Sequence, residues 1–111
     1  MQRPLGVHGR EARLRKVKST EFSEFEWDET KANVNFRKHG ITFPEAAEAL
    51  ANPHLEEQSD RDGEVRILAI CLVAIRIIGI VYTVRGNKCR IITARGARDY
   101  EQREYRLIYP G

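Results

Sequence analysis

Aliphatic, mostly β-branched residues fill three closely spaced runs in the second half of the chain. The runs span Val65–Val73, Ile77–Val84 and Cys89–Ala94, and Gly86-Asn87 marks a turn between the last two. Only a few residues separate consecutive runs, whereas a parallel pairing needs a connection of about a dozen residues or more. We therefore expect the three strands to pair as successive antiparallel neighbours.

Two short helices are predicted before these strands, each from its capping residues. The first spans Thr30–His39, with Asp28 as its N-cap and Gly40 in the left-handed position that follows a helix C-terminus. The second spans Phe43–Ala51 and begins with Thr42-Phe-Pro-Glu45, in which the Thr and Glu side chains can cap the backbone reciprocally.

Three further elements complete the predicted order. Phe22–Trp27 and His54–Ser59 are predicted as short strands, and Gly96–Ile108 as a closing helix. Ala32 and Phe36 lie four residues apart on the first helix and are expected on its inner face. The order β-α-α-β-β-β-β-α predicts an α+β domain, an antiparallel β-meander with the helices packed on one face.

Length and charge predict one domain behind a basic extension. The chain has 111 residues, enough for one domain. Residues 1–22 show little apolar periodicity and hold six Lys or Arg against two Glu, which favours a flexible basic N-terminal extension before a single globular domain, residues 23–111. Residues 61–111 hold ten Lys or Arg against five acidic residues. This excess suits a phosphate-bearing or acidic partner, unless the cations are scattered over solvated faces.

Signals for metals, cofactors and membranes are missing from the sequence. Cys71 and Cys89 lie in apolar runs and are expected to be buried thiols in a reducing cytoplasm. No HExxH motif, Cys/His metal spacing or GxxxxGK[ST] loop occurs, so no cofactor is expected. The most apolar run, ILAICLVAI, is much shorter than the roughly 20 residues of a membrane span. We expect a cytoplasmic protein with no membrane partner.

Most of residues 25–105 resembles one family of bacterial toxins. The resemblance is carried by FEWDETKANVNFRKHGITFPEAAEAL (Phe25–Leu50), DRDGEVRILAI (Asp60–Ile70), VYTVRGNKCRIITARGA (Val81–Ala97) and a closing segment at Glu101–Tyr105. In order and spacing these segments resemble the BrnT-type toxins of type II toxin–antitoxin operons. Thr93 stands where the family usually has Ser, Gly96 where Lys or Pro is frequent, and Val73-Ala-Ile-Arg76 where a polar turn is common.

The resemblance implies a fold, an activity and partners. It implies a RelE-like ribonuclease fold and an endoribonuclease that cleaves RNA and slows translation. It also implies a cognate antitoxin that neutralises the toxin. The antitoxin's DNA-binding part would let the complex repress its own operon, so operator DNA is expected as a partner only through the antitoxin.

Metal-independent RNA cleavage requires cations around the phosphate and groups that move protons. Arg95 ends a strand before a helix, where its guanidinium can take a phosphate through two hydrogen bonds. The alternative is an ion pair with Asp99 or Glu101. Arg66 and Glu64 share one face of a predicted strand, where Glu64 could act as a base, hold Arg66 in place or simply pair with it. We take Arg95, Arg66 and Glu64 as candidate catalytic residues.

The remaining candidates lie at a turn, on a strand and at a helix end. Arg90 and Arg95 differ in parity, so they are expected on opposite faces of their strand unless a bulge intervenes. Arg90 and Arg85, which borders the Gly86-Asn87 turn, are candidate RNA-binding residues. Lys38 and His39 can simply offset the negative end of the first helix. Alternatively, Lys38 can bind RNA and His39 can act as a catalytic acid or base.

Three function hypotheses remain open. The first is an RNA-cleaving enzyme, and the second is a catalytically weak module that binds nucleic acid or the antitoxin. The third is a regulatory subunit whose work is to complete the repressor complex on its operator. The arginine-rich half of the chain suits all three, since an antitoxin with an acidic segment would also bind it.

Overall fold

The computed structural model of the protein describes residues 14–110. Six strands and three helices follow one another along this part of the chain. In chain order they are β1 (Arg15–Val17), β2 (Glu24–Glu26), α1 (Glu29–His39), α2 (Phe43–Ala49), β3 (His54–Gln58), β4 (Ile67–Val73), β5 (Arg76–Arg85), β6 (Lys88–Gly96) and α3 (Asp99–Ile108).

The strands form one mixed sheet in the order β1-β3-β4-β5-β6-β2. The predicted meander is confirmed, since β3, β4, β5 and β6 pair as successive antiparallel neighbours. Strand β2 lies at the far edge and runs parallel to β6. The prediction of a purely antiparallel sheet was therefore wrong. Between β2 and β3 the chain passes over one face of the sheet through α1 and α2, which allows β2 to run parallel to β6.

Helices cover both faces of the sheet, and the expectation of one covered face was wrong. Ala69 and Cys71 of β4 belong to a core with residues of α2, whereas Leu68 and Ile70 belong to a second core with Tyr105 of α3. Side chains alternate across a strand, so these two pairs point to opposite faces. An apolar run such as β4 is buried on both faces for this reason.

Strand β1 lies within the segment that was expected to be a flexible extension. Of residues 1–22, those numbered 1–13 lie outside the described part of the chain. In the described part, Arg15 pairs with Glu56 and Val17 with His54. Phe22 packs edge-on against Phe25 and Tyr82, with ring centroids 5.9 and 5.7 Å away. This part of the segment contributes to the sheet and the core.

The predicted caps are present on both early helices. The Asp28 side chain accepts from the backbone N–H of Lys31 at 3.0 Å, and Gly40 follows α1 with φ of 73°. Thr42 and Glu45 form the reciprocal capping box at the start of α2. These signals were readable from sequence because each bond joins residues close in the chain.

One residue interrupts the register between β5 and β6. Val81 pairs with Thr93, but the next residue, Tyr82, pairs with Ile91, so Ile92 is left without an opposite partner. This is a β-bulge, and it reverses the relation between odd and even positions along β6. None of the three helices within residues 14–110 is a candidate membrane-spanning segment.

Candidate functional site

One face of the sheet collects most of the cations that were predicted from sequence. Alternate residues of β5 point to this face, and the residues paired with them on β6 point the same way. The pairs are Gly79 with Arg95, Val81 with Thr93, Thr83 with Arg90 and Arg85 with Lys88. We call this surface the cationic face and define it by Arg66, Arg85, Lys88, Arg90 and Arg95.

The bulge at Ile92 places Arg90 and Arg95 on the same face, which is the exception that the sequence prediction of opposite faces allowed. Their partners on β5, Thr83 and Gly79, are four residues apart. At about 3.4 Å per residue, this separates the two arginine rows by roughly 13 Å along the strand. The two arginines therefore belong to one surface but lie in separate cross-strand rows.

Glu64 joins two arginines at one end of the cationic face. Its carboxylate lies 2.8 Å from Nε of Arg66 and 3.6 Å from Nη2 of Arg85. The hydrogen bond from Arg66 is the main reason why the pKa of Glu64 is lowered, and Arg85 adds to it. A lowered pKa makes Glu64 a weaker proton acceptor, so this geometry favours the positioning alternative.

Carboxylates of β2 face the cations of β6. The parallel register sets Glu24 opposite Lys88 and Glu26 opposite Arg90. The corresponding ion pairs measure 3.2 and 3.3 Å, and all four side chains are partly exposed. Exposed pairs of this kind are worth only about 0–1 kcal/mol, so a phosphate can compete for the cations.

A cavity of about 700 Å³ opens on the cationic face beside α3. Its floor is one cross-strand row, Glu57, Leu68, Val81 and Thr93, in which each residue is paired directly with the next. Its walls carry three guanidiniums, those of Arg61, Arg95 and Arg98. We call this space the arginine cavity.

Arg95 lines the arginine cavity and is held by a buried carboxylate. Its Nη1 and Nη2 donate to the two oxygens of Glu101 at 2.9 and 3.1 Å, and Nη1 also donates to the carbonyl of Gly96. The ion pair with Glu101 that was considered as an alternative is thus present. Burial acts to raise the pKa of Glu101, but hydrogen bonds from Arg95 and from the Arg98 backbone outweigh it and lower that pKa.

The ion pair leaves one edge of the Arg95 guanidinium available. The described contacts use both N–H groups of Nη1 and one of Nη2. A guanidinium has five N–H donors in a planar fork, so Nε–H and the second N–H of Nη2 remain. These two point from the same edge and match two oxygens of a phosphate. Glu101 therefore orients the Arg95 guanidinium and leaves two of its N–H donors available for a ligand.

Gly79 makes room for this arrangement. A Cβ built on Gly79 would lie 2.8 Å from Nη1 and 3.1 Å from Cζ of Arg95. Any side chain at this position would displace the guanidinium, since real Cβ contacts are not that short. Gly79 is a site residue that the sequence reading missed, because an isolated glycine in a strand indicates only that some group approaches closely.

Lys38 and His39 line a second, shallower depression of about 250 Å³ between α1 and β6. We call it the α1 groove. Thr93 lines both the α1 groove and the arginine cavity, so the two depressions meet at this residue. The carbonyl of His39 also accepts from Nη1 of Arg76 at 2.7 Å, which adds a cation to the negative end of α1. The structure thus combines the capping role with a position beside the cavity.

Asn35 holds α1 against the edge of β6. Its side-chain amide donates to the Ala94 carbonyl at 2.9 Å and accepts from the Ala94 N–H at 3.1 Å. Its oxygen also accepts from the Thr93 hydroxyl at 3.0 Å. One buried amide thus replaces a strand partner beyond the end of β2. Phe36, expected on the inner face of α1, is 51% exposed instead.

The described residues contain neither a metal-binding group nor a reactive thiol. Among residues 14–110, no group of three His, Cys, Asp or Glu side chains could hold a metal ion. Cys71 and Cys89 are free and buried, as expected. Burial raises the pKa of Cys89 to about 12, and it raises the pKa of Cys71 as well. Neither thiol is therefore a nucleophile at neutral pH.

Comparison with known proteins agrees with the resemblance read from sequence. A family model described as "Ribonuclease toxin, BrnT, of type II toxin-antitoxin system" matches residues 27–101. This range includes Lys38, Glu64, Arg66, Arg95 and Glu101, and it covers more than half of the chain. No curated protein matches the chain. The chain belongs to the BrnT family of ribonuclease toxins of type II toxin–antitoxin systems.

Proposed function

We propose that this protein is an active, metal-independent endoribonuclease with a RelE-like fold, which acts in the cytoplasm and inhibits translation. The observation that carries the proposal is the arginine cavity, where three guanidiniums surround one cross-strand row at the end of a cationic face. Cleavage by a ribose 2′-OH develops negative charge on the phosphate oxygens, and fixed cations stabilise that charge. Such a site needs no metal ion.

Arg95 is the proposed phosphate-binding catalytic residue. Glu101 is fully buried and holds the guanidinium from one side, so the free edge with Nε and Nη2 has a fixed direction. A donor that is already oriented needs no rearrangement when charge develops. Arg98 and Arg61, both exposed on the cavity wall, are proposed to bind flanking phosphates.

The RNA strand is proposed to run along the cationic face. Arg90 and Arg85 would bind its phosphates, and Glu64 would keep Arg66 in place beside them. In the other direction, Thr93 leads into the α1 groove, where Lys38 can contact the backbone. The imidazole of His39 in that groove is the candidate proton donor to the leaving 5′-oxygen.

The test is RNA cleavage in EDTA by the purified protein. We expect fragments that end in a 2′,3′-cyclic phosphate, and a fall in rate of about 10²–10³ for Arg95→Ala, the usual cost of removing one stabilising donor. Arg103→Ala is the matched control, since Arg103 is exposed on the same helix that carries Glu101 but does not line the cavity. Equal activity of Arg95→Ala and wild type, with both folded, would contradict the assignment.

A second candidate function is supported by the carboxylates on the cationic face. Arg66, Arg85, Lys88, Arg90 and Arg95 all have an acidic neighbour within 4.0 Å. A surface neutralised in this way could serve as a module that binds the antitoxin and acts as co-repressor of the operon, with little catalysis of its own. Tight antitoxin binding and operator binding by the complex, without RNA cleavage in EDTA, would favour this second candidate.

A further inference from the structure

Cleavage at the arginine cavity requires a group that takes the proton of the 2′-OH, and the carboxylates around it are not equivalent. Asp60 accepts from the Arg66 backbone N–H at 3.2 Å and from the Gln58 amide at 2.8 Å, so it organises the loop before β4. Glu101 faces Arg95. Glu64 is tied to two arginines on the same face and does not line the cavity.

Glu57 is the carboxylate that forms part of the cavity floor. It is only 5% exposed, although it lines the cavity. It lies on β3 directly opposite Leu68, and the same row continues through Val81 to Thr93. Leu68 and Val81 make the middle of the floor apolar, which limits water beside the carboxylate and strengthens its interactions with nearby charges.

The spacing between Glu57 and Arg95 suits one nucleotide. Gly79, over which the Arg95 guanidinium lies, is two strands away from β3. Two strand spacings amount to roughly 10 Å between backbones. Gly79 is also two residues along β5 from Val81, the residue in the row of Glu57, so the backbones of Glu57 and Gly79 are roughly 12 Å apart. The Glu57 side chain shortens this gap, which leaves room for a ribose 2′-OH beside the carboxylate while the adjacent phosphate binds the free edge of Arg95.

We propose that Glu57 is the general base of the cleavage reaction, an inference that rests on the proposed ribonuclease function. The Glu57 carboxylate takes the proton of the 2′-OH, and the 2′-oxygen forms a bond to the phosphorus. The bond between phosphorus and the 5′-oxygen breaks, and the 5′-oxygen takes a proton from His39. The products are a 2′,3′-cyclic phosphate and a 5′-OH, and the two side chains exchange their protons with water.

The test is the pH–rate profile of Glu57→Gln in EDTA, with Glu48→Gln as the control. Gln keeps the size of Glu but accepts protons poorly, so we expect cleavage to fall by about 10²–10⁴. We also expect the acid limb of the wild-type profile to disappear. Affinity for a 2′-O-methyl RNA, which cannot be cleaved, should stay unchanged. Glu48 is exposed on α2, on the other side of the sheet from the cavity.

The possible outcomes distinguish the role of Glu57 as general base from the proposed ribonuclease function. Cleavage by Glu57→Gln at the wild-type rate, or a loss that is equal at every pH and accompanied by lost RNA affinity, overturns the role of Glu57 alone. If Glu57→Gln does not fold, Glu57→Asp replaces it. That variant should keep the acid limb at a reduced rate, and wild-type activity in it would overturn the role. Failure of the wild-type protein to cleave RNA overturns both.

Discussion

The chemistry of the candidate site depends on how single side chains are held. Arg95 has a fixed direction because Glu101 receives two of its N–H groups and Gly79 leaves space beneath it. The sequence predicted Arg95 at a strand end and named Glu101 as a possible partner, and the structure shows both features. Sequence reading had no means of finding Gly79 or Glu57, whose neighbours follow from strand register. Nor could it find Arg61 or Arg98, which loops outside the strands bring to the cavity.

Substitution of Gly79 by Ala should impair cleavage more than folding. The new methyl group would meet the end of the Arg95 side chain, which can move, rather than backbone. We expect a fall in cleavage rate of about 10²-fold, as for other lost oriented donors, with a small change in melting temperature. The measurement is a double-mutant cycle with Arg95→Ala. If Gly79→Ala reduces the residual rate just as strongly in the Arg95→Ala background, the two residues are not coupled.

At the scale of elements, predictions from local sequence signals were confirmed, whereas details of strand register were not predicted. The caps of α1 and α2 and the antiparallel β3–β6 meander were predicted, because each depends on residues close in the chain. The bulge at Ile92 was missed, and with it the shared face of Arg90 and Arg95. Nothing in the local sequence marks it, since Ile92 suits a regular strand as well.

The turn between β4 and β5 offers a test of element stability. Ala74 has φ of 57°, in the left-handed region that favours glycine, and Ile75 beside it is 97% exposed. A left-handed backbone conformation costs a residue with a Cβ about 1–2 kcal/mol, and substitution by glycine would remove this cost. The greater conformational freedom of glycine in the unfolded chain offsets part of that stabilisation. We expect Ala74→Gly to raise the free energy of unfolding by about 0.5–1 kcal/mol in urea denaturation. A decrease would show that the turn is not strained.

At the scale of the whole molecule, one buried polar network ties the N-terminal segment to the sheet. Glu56 accepts from Tyr82 at 2.8 Å and from Thr20 at 3.0 Å, and it lies 2.8 Å from Nε2 of His54. Nδ1 of His54 lies 2.7 Å from the Asn52 carbonyl, so each ring nitrogen lies within hydrogen-bonding distance of an oxygen atom. The network joins residues far apart in the chain, which is why the sequence predicted a strand at His54 but no role for its side chain.

This network predicts how stability depends on pH. Burial acts to raise the pKa of Glu56, but hydrogen bonds from His54, Tyr82 and Thr20 outweigh it, so the folded pKa lies below the ordinary 4.5. Glu101 behaves in the same way. A lowered folded pKa gives stability that is fully present above the unfolded pKa and is lost as pH falls through the folded value. We therefore expect the free energy of unfolding to decrease as pH falls below about 4.5.

Glu56→Gln tests the origin of that pH dependence. It should lower the free energy of unfolding at pH 7 by about 1–3 kcal/mol, because a neutral amide cannot replace the buried carboxylate as acceptor for Tyr82 and Thr20. It should also flatten the decrease in acid, as followed by urea denaturation between pH 3 and pH 7. Glu48→Gln, at an exposed position, is the control. An unchanged acid slope in Glu56→Gln would assign the pH dependence to other groups.

The charge of the cationic face predicts how RNA binding depends on salt. Binding to single strands releases counterions, and each neutralised phosphate adds about −0.7 to the slope of log K against log salt. Arg90→Ala and Arg85→Ala should each reduce the magnitude of that slope by about 0.7–1 for a 2′-O-methyl RNA. Arg103→Ala should leave it unchanged. Slopes equal to that of the wild type would place the RNA elsewhere on the molecule.

The sequence by itself determined the α+β class, the helix caps, the meander and membership of the BrnT family. These features depend on patterns among residues that are close together in the chain, so they can be recognised without the tertiary structure. Only the tertiary structure decided which face each arginine shares, that α3 covers the face opposite α1 and α2, and that β2 runs parallel at the far edge. One unpaired residue in β6 moves Arg90 to the side of Arg95, and such a shift arises from the packing of a whole sheet.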